Sequence, residues 1–262
     1  MTRTVSFIQL FLMRVWLPIA IVAAWWVTST TNPSLYFPPL PVILSEIVNE
    51  WILGPRFAAD LLPTLSNFAI GLAIALIGGT VFGVILGRSA AIRAFLTPII
   101  NFLRSLPSPA LIPVVLVIFS IGSNMSIALI AIGAVWPTLL NTIDGVRSVD
   151  TQVRDMVRCY RLTRWQNISR VVIPAASPQI VAGYRVSLQI SIILIVVSEM
   201  VGATRGLGYF VLESQQLFKV AQTWAGTIML GLLGYLLTQI FVLIERRVMR
   251  WQIRMRAATG AA

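Results

Sequence analysis

The chain has 262 residues, of which 57% are apolar and 11% charged, with a mean hydropathy of +0.86. Soluble domains carry roughly 25% charged residues, so a soluble fold of this size would have too little interior to hide the apolar surface, and lipid is the expected solvent. The net charge of +11 does not point to nucleic acid, because the basic residues stand in short gaps between apolar runs, where membrane topology uses them. The absence of histidine removes His-based metal sites and His general bases, and the single cysteine, Cys159, removes an intrachain disulfide.

The first apolar run, after MTRTVSF, begins like a signal peptide, but it continues to about Thr28 without a small-residue cleavage site and reads as a retained span. A hydrocarbon core about 30 Å thick needs roughly 20 apolar residues per helix. Six segments qualify: Val15–Ser29, Leu65–Gly87, Phe95–Phe119, Met125–Ile143, Gln179–Val201 and Trp224–Ile244. The third contains Arg104 and the prolines Pro98, Pro107, Pro109 and Pro113, so a kinked or broken helix is expected there. Between the first two spans lies Asn32–Pro63, with the proline-rich SLYFPPLPVI and a short amphipathic stretch at Ile43–Leu53. Between the last two lies Gly202–Thr223, with GLGYFVLESQQLF. Both are long enough to lie on the membrane surface or re-enter it. No internal repeat and no separate soluble domain is visible, so residues 1–262 read as one all-α transmembrane domain.

With the N-terminus placed inside, the inside segments hold 15 of the 20 basic residues and the outside segments hold 3: Arg56, Arg205 and Lys219. Arg104 and Arg185 fall within spans. This positive-inside bias requires an even number of spans and places both termini in the cytoplasm.

The segment from about 144 to 178 then becomes a cytoplasmic loop. Asp150 is a suitable N-cap. After it, Val153, Met156, Val157 and Tyr160 recur at helical spacing, with Arg154, Arg158 and Arg161 on another face. Leu162–Thr163 breaks the pattern. A second short helix carries Trp165, Ile168 and Val172, and Pro174 is expected to stop it. Two short amphipathic helices need cover for their apolar faces, either from the ends of the chain's own spans or from a docked partner.

The stretch DMVRCYRLTRWQNISRVVIP, Asp155–Pro174, resembles the EAA loop of bacterial binding-protein-dependent ABC importer permeases. Asp155 falls at the acidic position, Met156 and Val157 at the two alanines, Arg161 at the glycine and Pro174 at the proline. Arg161 is the sharpest departure, since glycine tolerates φ > 0 and arginine does not do so readily. LRSLPSPALIPVVLVIFSIG, IAIGAVWPTLLNT, GYRVSLQISIILIVVSEMVGATRGLGYFV and WAGTIMLGLLGYLLTQIFVLIERRVMRW, in this order, resemble the nitrate/sulfonate/taurine branch of that family. The resemblance implies the type I importer permease fold and a second copy of the permease. It also implies two ATP-binding subunits, an extracytoplasmic solute-binding protein and a bacterial inner-membrane location. Asp155, Met156, Val157, Arg158, Tyr160, Arg161, Trp165 and Pro174 would form the coupling contact with the ATPase. No phosphate-binding loop is present, and Lys219 is the chain's only lysine. The chain is therefore not expected to bind a cofactor, ATP and Mg being left to the partner.

Charges and polar groups within spans are candidates for the translocation path or gate. Arg104 and Ser105 flank the proline-rich break, Arg104 either facing a cavity or reaching an interface, and Arg185 is expected to snorkel. Asn141 and Gln189 either line the path or bond helix to helix. Glu199 and Met200 end the fifth span, where Glu199 either pairs with Arg205 at an outer gate or is an ordinary interfacial carboxylate. Gly71, Gly78, Gly79, Gly83 and Gly87 are expected to permit close helix packing. A secondary transporter or channel would instead call for an ionisable relay or a repeat, and a membrane enzyme for a catalytic cluster; neither pattern stands out.

Overall fold

The computed structural model describes residues 7–31 and 34–250. Arg3, Arg254, Arg256 and the side chains of Arg14 and Arg154 lie outside that description. The described residues form helices joined by short turns, with no strand among them. In chain order these are α1 (Phe7–Thr31), α2 (Leu40–Ile47), α3 (Leu62–Arg88), α4 (Ala90–Ser105), α5 (Ile112–Phe119), α6 (Ser123–Arg147), α7 (Thr151–Cys159), α8 (Arg164–Asn167), α9 (Ile173–Gly202), α10 (Leu207–Gln216) and α11 (Val220–Val248).

Four continuous helical stretches are long and apolar enough to cross a membrane: Phe57–Arg88, Ser123–Arg147, Arg164–Gly202 and Val220–Val248. The expected third span is a pair of helices, Ala90–Ser105 and Ser108–Phe119, bent by 89°. The bend follows from proline sterics. A residue before proline is pushed out of the helical region, and Leu106, before Pro107, takes φ −70° and ψ 125°.

Helix direction shows that this bent pair makes one crossing. Gly71 of α3 lies against Ile130 of α6, and Gly87 against Val146, so the two helices run parallel side by side. The chain leaves α3 at one end and must return to the other to begin α6, and only α4 and α5 lie between. Helix α9 returns antiparallel to α6: Gly145 meets Ala176, Gly183 meets Asn141, and the Gly122 amide donates to the Gly202 carbonyl at 2.8 Å. Helix α11 runs back along α9, with Gly234 near Ile192 and Arg185 paired with Glu245. Near its C-terminus α1 sets Trp25 against Trp224 at the start of α11, ring centroids 5.0 Å apart. Its apolar part, Trp16–Thr31, is shorter than the four stretches above, so the expected first span is not matched at full length among the described residues.

The core sits where α3, α6 and α9 meet, around Phe68, Ala75, Leu129, Ile130, Ala134, Leu194 and Ile195. A stripe of small residues, Gly71, Ala75, Gly79, Gly83 and Gly87, recurs every four residues along α3. A methyl group at Gly79 would lie 2.7 Å from Thr138 Cγ2, and one at Gly83 would lie 2.5 Å from Thr142 Cβ. Gly78 is the exception to the expected set, with nothing within 4 Å of its absent side chain. A second core joins α2, α10 and α11 through Ile43, Trp51, Leu207, Phe210, Ala225 and Leu233. The stretches between spans therefore pack onto the bundle.

Pro174 does not stop the second loop helix. It lies in the first turn of α9, and Arg164–Gly202 is one helical run. The wide π-helical turn at Ile168–Val172 precedes it. An i→i+5 turn relieves the clash that a proline ring makes with the carbonyl four residues back. The interhelical loop is correspondingly shorter than 144–178, because α6 runs to Arg147 and the helix of the next span begins at Arg164.

The glycine stripe makes a differential prediction. Gly83→Val should lower stability by about 1–3 kcal/mol through overpacking against Thr142, while Gly78→Val should stay within about 0.5 kcal/mol of the parent. Thermal unfolding of the two purified variants in detergent measures the difference.

Candidate functional site

Three groups of candidate residues lie on this frame. At the end where α3 and α6 finish, the Asp150 carboxylate caps α7 by accepting from the Gln152 amide at 3.1 Å. The helix closes with paired backbone bonds, Leu162 N to Val157 O at 3.2 Å and Arg161 N to Arg158 O at 3.1 Å. This closure requires a left-handed residue, and Arg161 supplies it at φ 48°. The turn that glycine would make is thus kept by arginine, at a cost of roughly 1–2 kcal/mol. A capping box between Thr163 and Gln166 then starts α8.

These caps fix two short helices whose apolar residues divide into two sets. Val153 and Val157 are half-buried toward the chain's own helices. Met156, Tyr160 and Trp165 point away, 57%, 74% and 74% exposed. The expected single face of Val153, Met156, Val157 and Tyr160 is split because α7 rests on the bundle along one edge only. Asp155 pairs with Arg158 at 3.4 Å on the exposed side. Pro174 is exposed at the head of α9.

Beside the bend, Asn101, Arg104 and Ser105 of α4 and Trp136, Pro137 and Leu140 of α6 line an open hollow of about 350 Å³. Arg104 and Ser105 are therefore brought together. Arg104 is exposed, and the Ser105 hydroxyl donates to the carbonyls of Asn101 and Phe102, both at 2.8 Å. Asn141 donates to the Pro137 carbonyl one turn back, at the proline inside α6. Gln189 is exposed on α9 and is not among the residues lining the hollow. Arg185 does more than snorkel, since it holds Glu245 of α11 at 2.6 Å. The buried serines of α9 bond within the bundle: Ser187 donates to the Ala134 carbonyl and shares a 2.8 Å bond with Thr138.

At the opposite end, Glu199 is completely buried and does not meet Arg205, which is exposed. Its carboxylate instead accepts from the Thr64 hydroxyl at 2.8 and 2.9 Å and from the Gly208 amide at 3.0 Å. The Leu207 amide donates to Thr64 Oγ1 at 2.9 Å, and the Gly206 amide to Asp60 Oδ1 at 3.0 Å. Three successive amides at the start of α10 are thus taken by side chains from two other helical segments. Carboxylates suit this place, because the unpaired N–H groups of a helix start carry partial positive charge. Gly206 stands at φ 121°, and any side chain there would overlap the Glu199 carboxyl. Met200, next along α9, is half-buried. Around this cluster Arg56 reaches Asp60 at 3.2 Å and Glu50 at 3.3 Å, and stands 4.6 Å above the Phe210 ring. Burial opposes the charge on Arg56, but the Asp60 and Glu50 carboxylates outweigh it and raise its pKa above the ordinary value. Among the described residues, no group of three or more His, Cys, Asp or Glu comes together to hold a metal.

Residues 79–250 match the family described as binding-protein-dependent transport system inner membrane component. The chain belongs to that family. It is 31% identical over 237 residues to SsuC of Bacillus subtilis, whose name assigns it to aliphatic sulfonate transport, covering 90% of this chain and 86% of that one. It is 30% identical to the bicarbonate transport system permease protein CmpB of Synechococcus elongatus, covering 86% and 85%. To the taurine transport system permease protein TauC of Escherichia coli it is 27% identical, covering 88% and 86%. Among solved structures, the inward-facing MetNI methionine ABC transporter superposes with a TM-score of 0.61 at 23% identity, covering 72% of this chain and 94% of that one. The fold is that of type I ABC importer permeases, and the protein is the membrane-spanning permease subunit of an ATP-driven importer.

Within the permease, Asp60, Thr64 and the α10 amides were not visible as a site in the sequence. The only signal was a threonine and an aspartate four residues apart at the head of an apolar run. Thr64→Val should remove the donor to Glu199 and the acceptor of the Leu207 amide, leaving two buried groups underbonded. A loss of about 1–3 kcal/mol is expected, with faster proteolysis of the segment around Arg205. Melting temperature and the cleavage rate of the purified permease measure it.

Proposed function

We propose that the permease forms, with a second copy of itself, the membrane path for a small oxyanion and receives the motion of a separate ATPase through α7 and α8. The observation that carries this is the outward-facing set Met156, Tyr160 and Trp165 on two short helices capped at fixed positions. A chain without a nucleotide site needs a rigid, partly apolar handle for its motor, and exposed aromatic anchors on a fixed helix provide one. Asp155, Arg158 and Arg161 supply charged flanks that set its register, and Pro174 begins the helix that carries the motion inward. ATP and Mg would be bound by two partner ATPase subunits, and solute would be delivered by an extracytoplasmic binding protein.

The anionic substrate class follows from Arg104 and the names of the relatives. A guanidinium beside the bent helix, lining a hollow with Asn101 and Ser105, offers charge and hydrogen bonds to an oxyanion. Sulfonates, bicarbonate and taurine, named for the relatives, all present such a group. Asn141, Gln189 and Met200 line or shape the path, and Glu199 acts as an anchor of α10 at the outer gate. The 15 to 3 division of basic residues supports a cytoplasmic side for α7, α8 and both termini and an outer side for α10. An impermeant thiol reagent that labels a cysteine at position 262 in intact cells would reverse this orientation.

One reconstitution tests the function. The permease, its ATPase and its binding protein are placed in proteoliposomes with the Asp155→Arg, Tyr160→Ala or Arg104→Gln variants. The first two should keep the permease folded and dimeric while reducing bound ATPase at least about tenfold, the effect of one lost anchor, and abolishing stimulated hydrolysis. Arg104→Gln should keep ATPase binding and lower oxyanion uptake. Full ATPase binding and turnover in both loop variants would mean that α7 and α8 only pack on their own subunit.

A further inference from the structure

Behind the outward face of α7 lies a half-open pocket of about 280 Å³, lined by Gly87, Arg88, Val146, Val149, Val157, Arg158, Asn167, Val171 and Val172. We propose that it is a binding site for a phosphate group, supplied by the head group of an anionic phospholipid.

Three observations support this. The first is chemical. Two arginines, Arg88 and Arg158, and one carboxamide residue, Asn167, stand among lining residues that are otherwise valines and a glycine, and none of the lining residues is a carboxylate. Arginine offers a planar fork of donors matched to phosphate oxygens. Arg158 also pairs with Asp155 at 3.4 Å, but both side chains are largely exposed, and such a surface pair holds its partner weakly.

The second is level. Arg88 ends one span, Val146 stands one residue before the end of another, and Asn167 lies in the opening turns of a third. The pocket is therefore where apolar helix gives way to water, the depth of lipid head groups. Basic pockets between helices at that depth are suited to anionic head groups. The third is size. The volume is several times the ~30 Å³ that one water occupies in the liquid, which leaves room for a phosphodiester with part of its glycerol.

A head group seated here would lie between α7 and the ends of α3 and α6, bracing the helix proposed to carry the ATPase. That consequence rests on the coupling role proposed above; the binding itself does not.

The test uses the full-length permease purified in detergent, without the ATPase, read by native mass spectrometry. Separate samples receive dioleoylphosphatidylglycerol, dioleoylphosphatidylcholine or inorganic phosphate. The parent should retain one phosphatidylglycerol per chain with roughly thirtyfold preference over phosphatidylcholine, the scale expected from two arginines at a membrane surface. The double variant Arg88→Gln/Arg158→Gln should lose the preference, and the control Arg164→Gln/Arg170→Gln should keep it. Asn167→Asp, which puts a carboxylate in the pocket at nearly constant size, should weaken retention even if the double variant misfolds. Displacement of the lipid by millimolar phosphate would support the phosphate-group site and assign it to free phosphate. Equal retention of the two lipids with no effect of phosphate would overturn the proposal. So would an equal loss in both double variants, which would show a general response to charge at that end.

Discussion

The close approach of α3 and α6 is the contact on which the rest of the molecule depends. Between helices in lipid there is no hydrophobic force to exploit, because the surrounding tails are as apolar as leucine. Association rests on van der Waals contact and on interhelical hydrogen bonds. The stripe from Gly71 to Gly87 lets the α6 side chains from Ile130 to Val146 rest directly on the α3 backbone. Because this contact is parallel, it sends the chain back across the membrane between the two helices and so requires the bent α4–α5 passage. The hollow beside Arg104 exists because that passage is bent where Pro107 follows Leu106. The glycines on the other side of the packing, Gly133, Gly145 and Gly183, seat α9 equally closely, and α9 carries Glu199 to its end.

The two ends of the bundle handle the same problem in different ways. A short helix placed at a membrane surface has free amides at its start and free carbonyls at its end. At the α10 end, the amides are buried and met by Asp60, Thr64 and Glu199, which fastens the helix to two spans at once. At the α7 end, the caps are local: Asp150 at the start, the left-handed Arg161 at the close and the Thr163–Gln166 box for α8. Local caps leave one side of α7 free of its own subunit, whereas caps borrowed from other spans do not. That difference fits the proposed roles of an anchored outer element and an inner handle with an exposed face.

Much of this was legible in the sequence because single-chain signals carry it. Hydropathy located the spans, clustered prolines located the bend, and Asp150 followed by apolar spacing located α7. What escaped depends on residues far apart in sequence. Thr64 and Glu199 are 135 positions apart and Asp60 and Gly206 are 146 apart, and no periodicity links them. Glu199 stands out in the sequence as an expensive group in a span, but nearness in sequence suggests Arg205 as its partner. The bundle turns Arg205 outward and brings Thr64 in. In the sequence Pro174 looks like a stop, because a helix interior cannot normally accommodate proline. The π-helical turn before it, which has no clear sequence signature, lets the helix run on.

The parallel pairing also sets a schedule for biogenesis. Neighbours in sequence can associate as soon as both have been made, but the partner of Gly83 is Thr142, 59 residues later in the chain (142 − 83). At ~5–20 residues per second, the glycine face of α3 waits several seconds in the membrane or its insertion machinery before α6 arrives. Throughout that interval it is a narrow groove open to other small-residue helices, including the same segment of a sister chain on the same message. The bent α4–α5 passage emerges in between and can shield it, as can α1 and α2, which are made before α3.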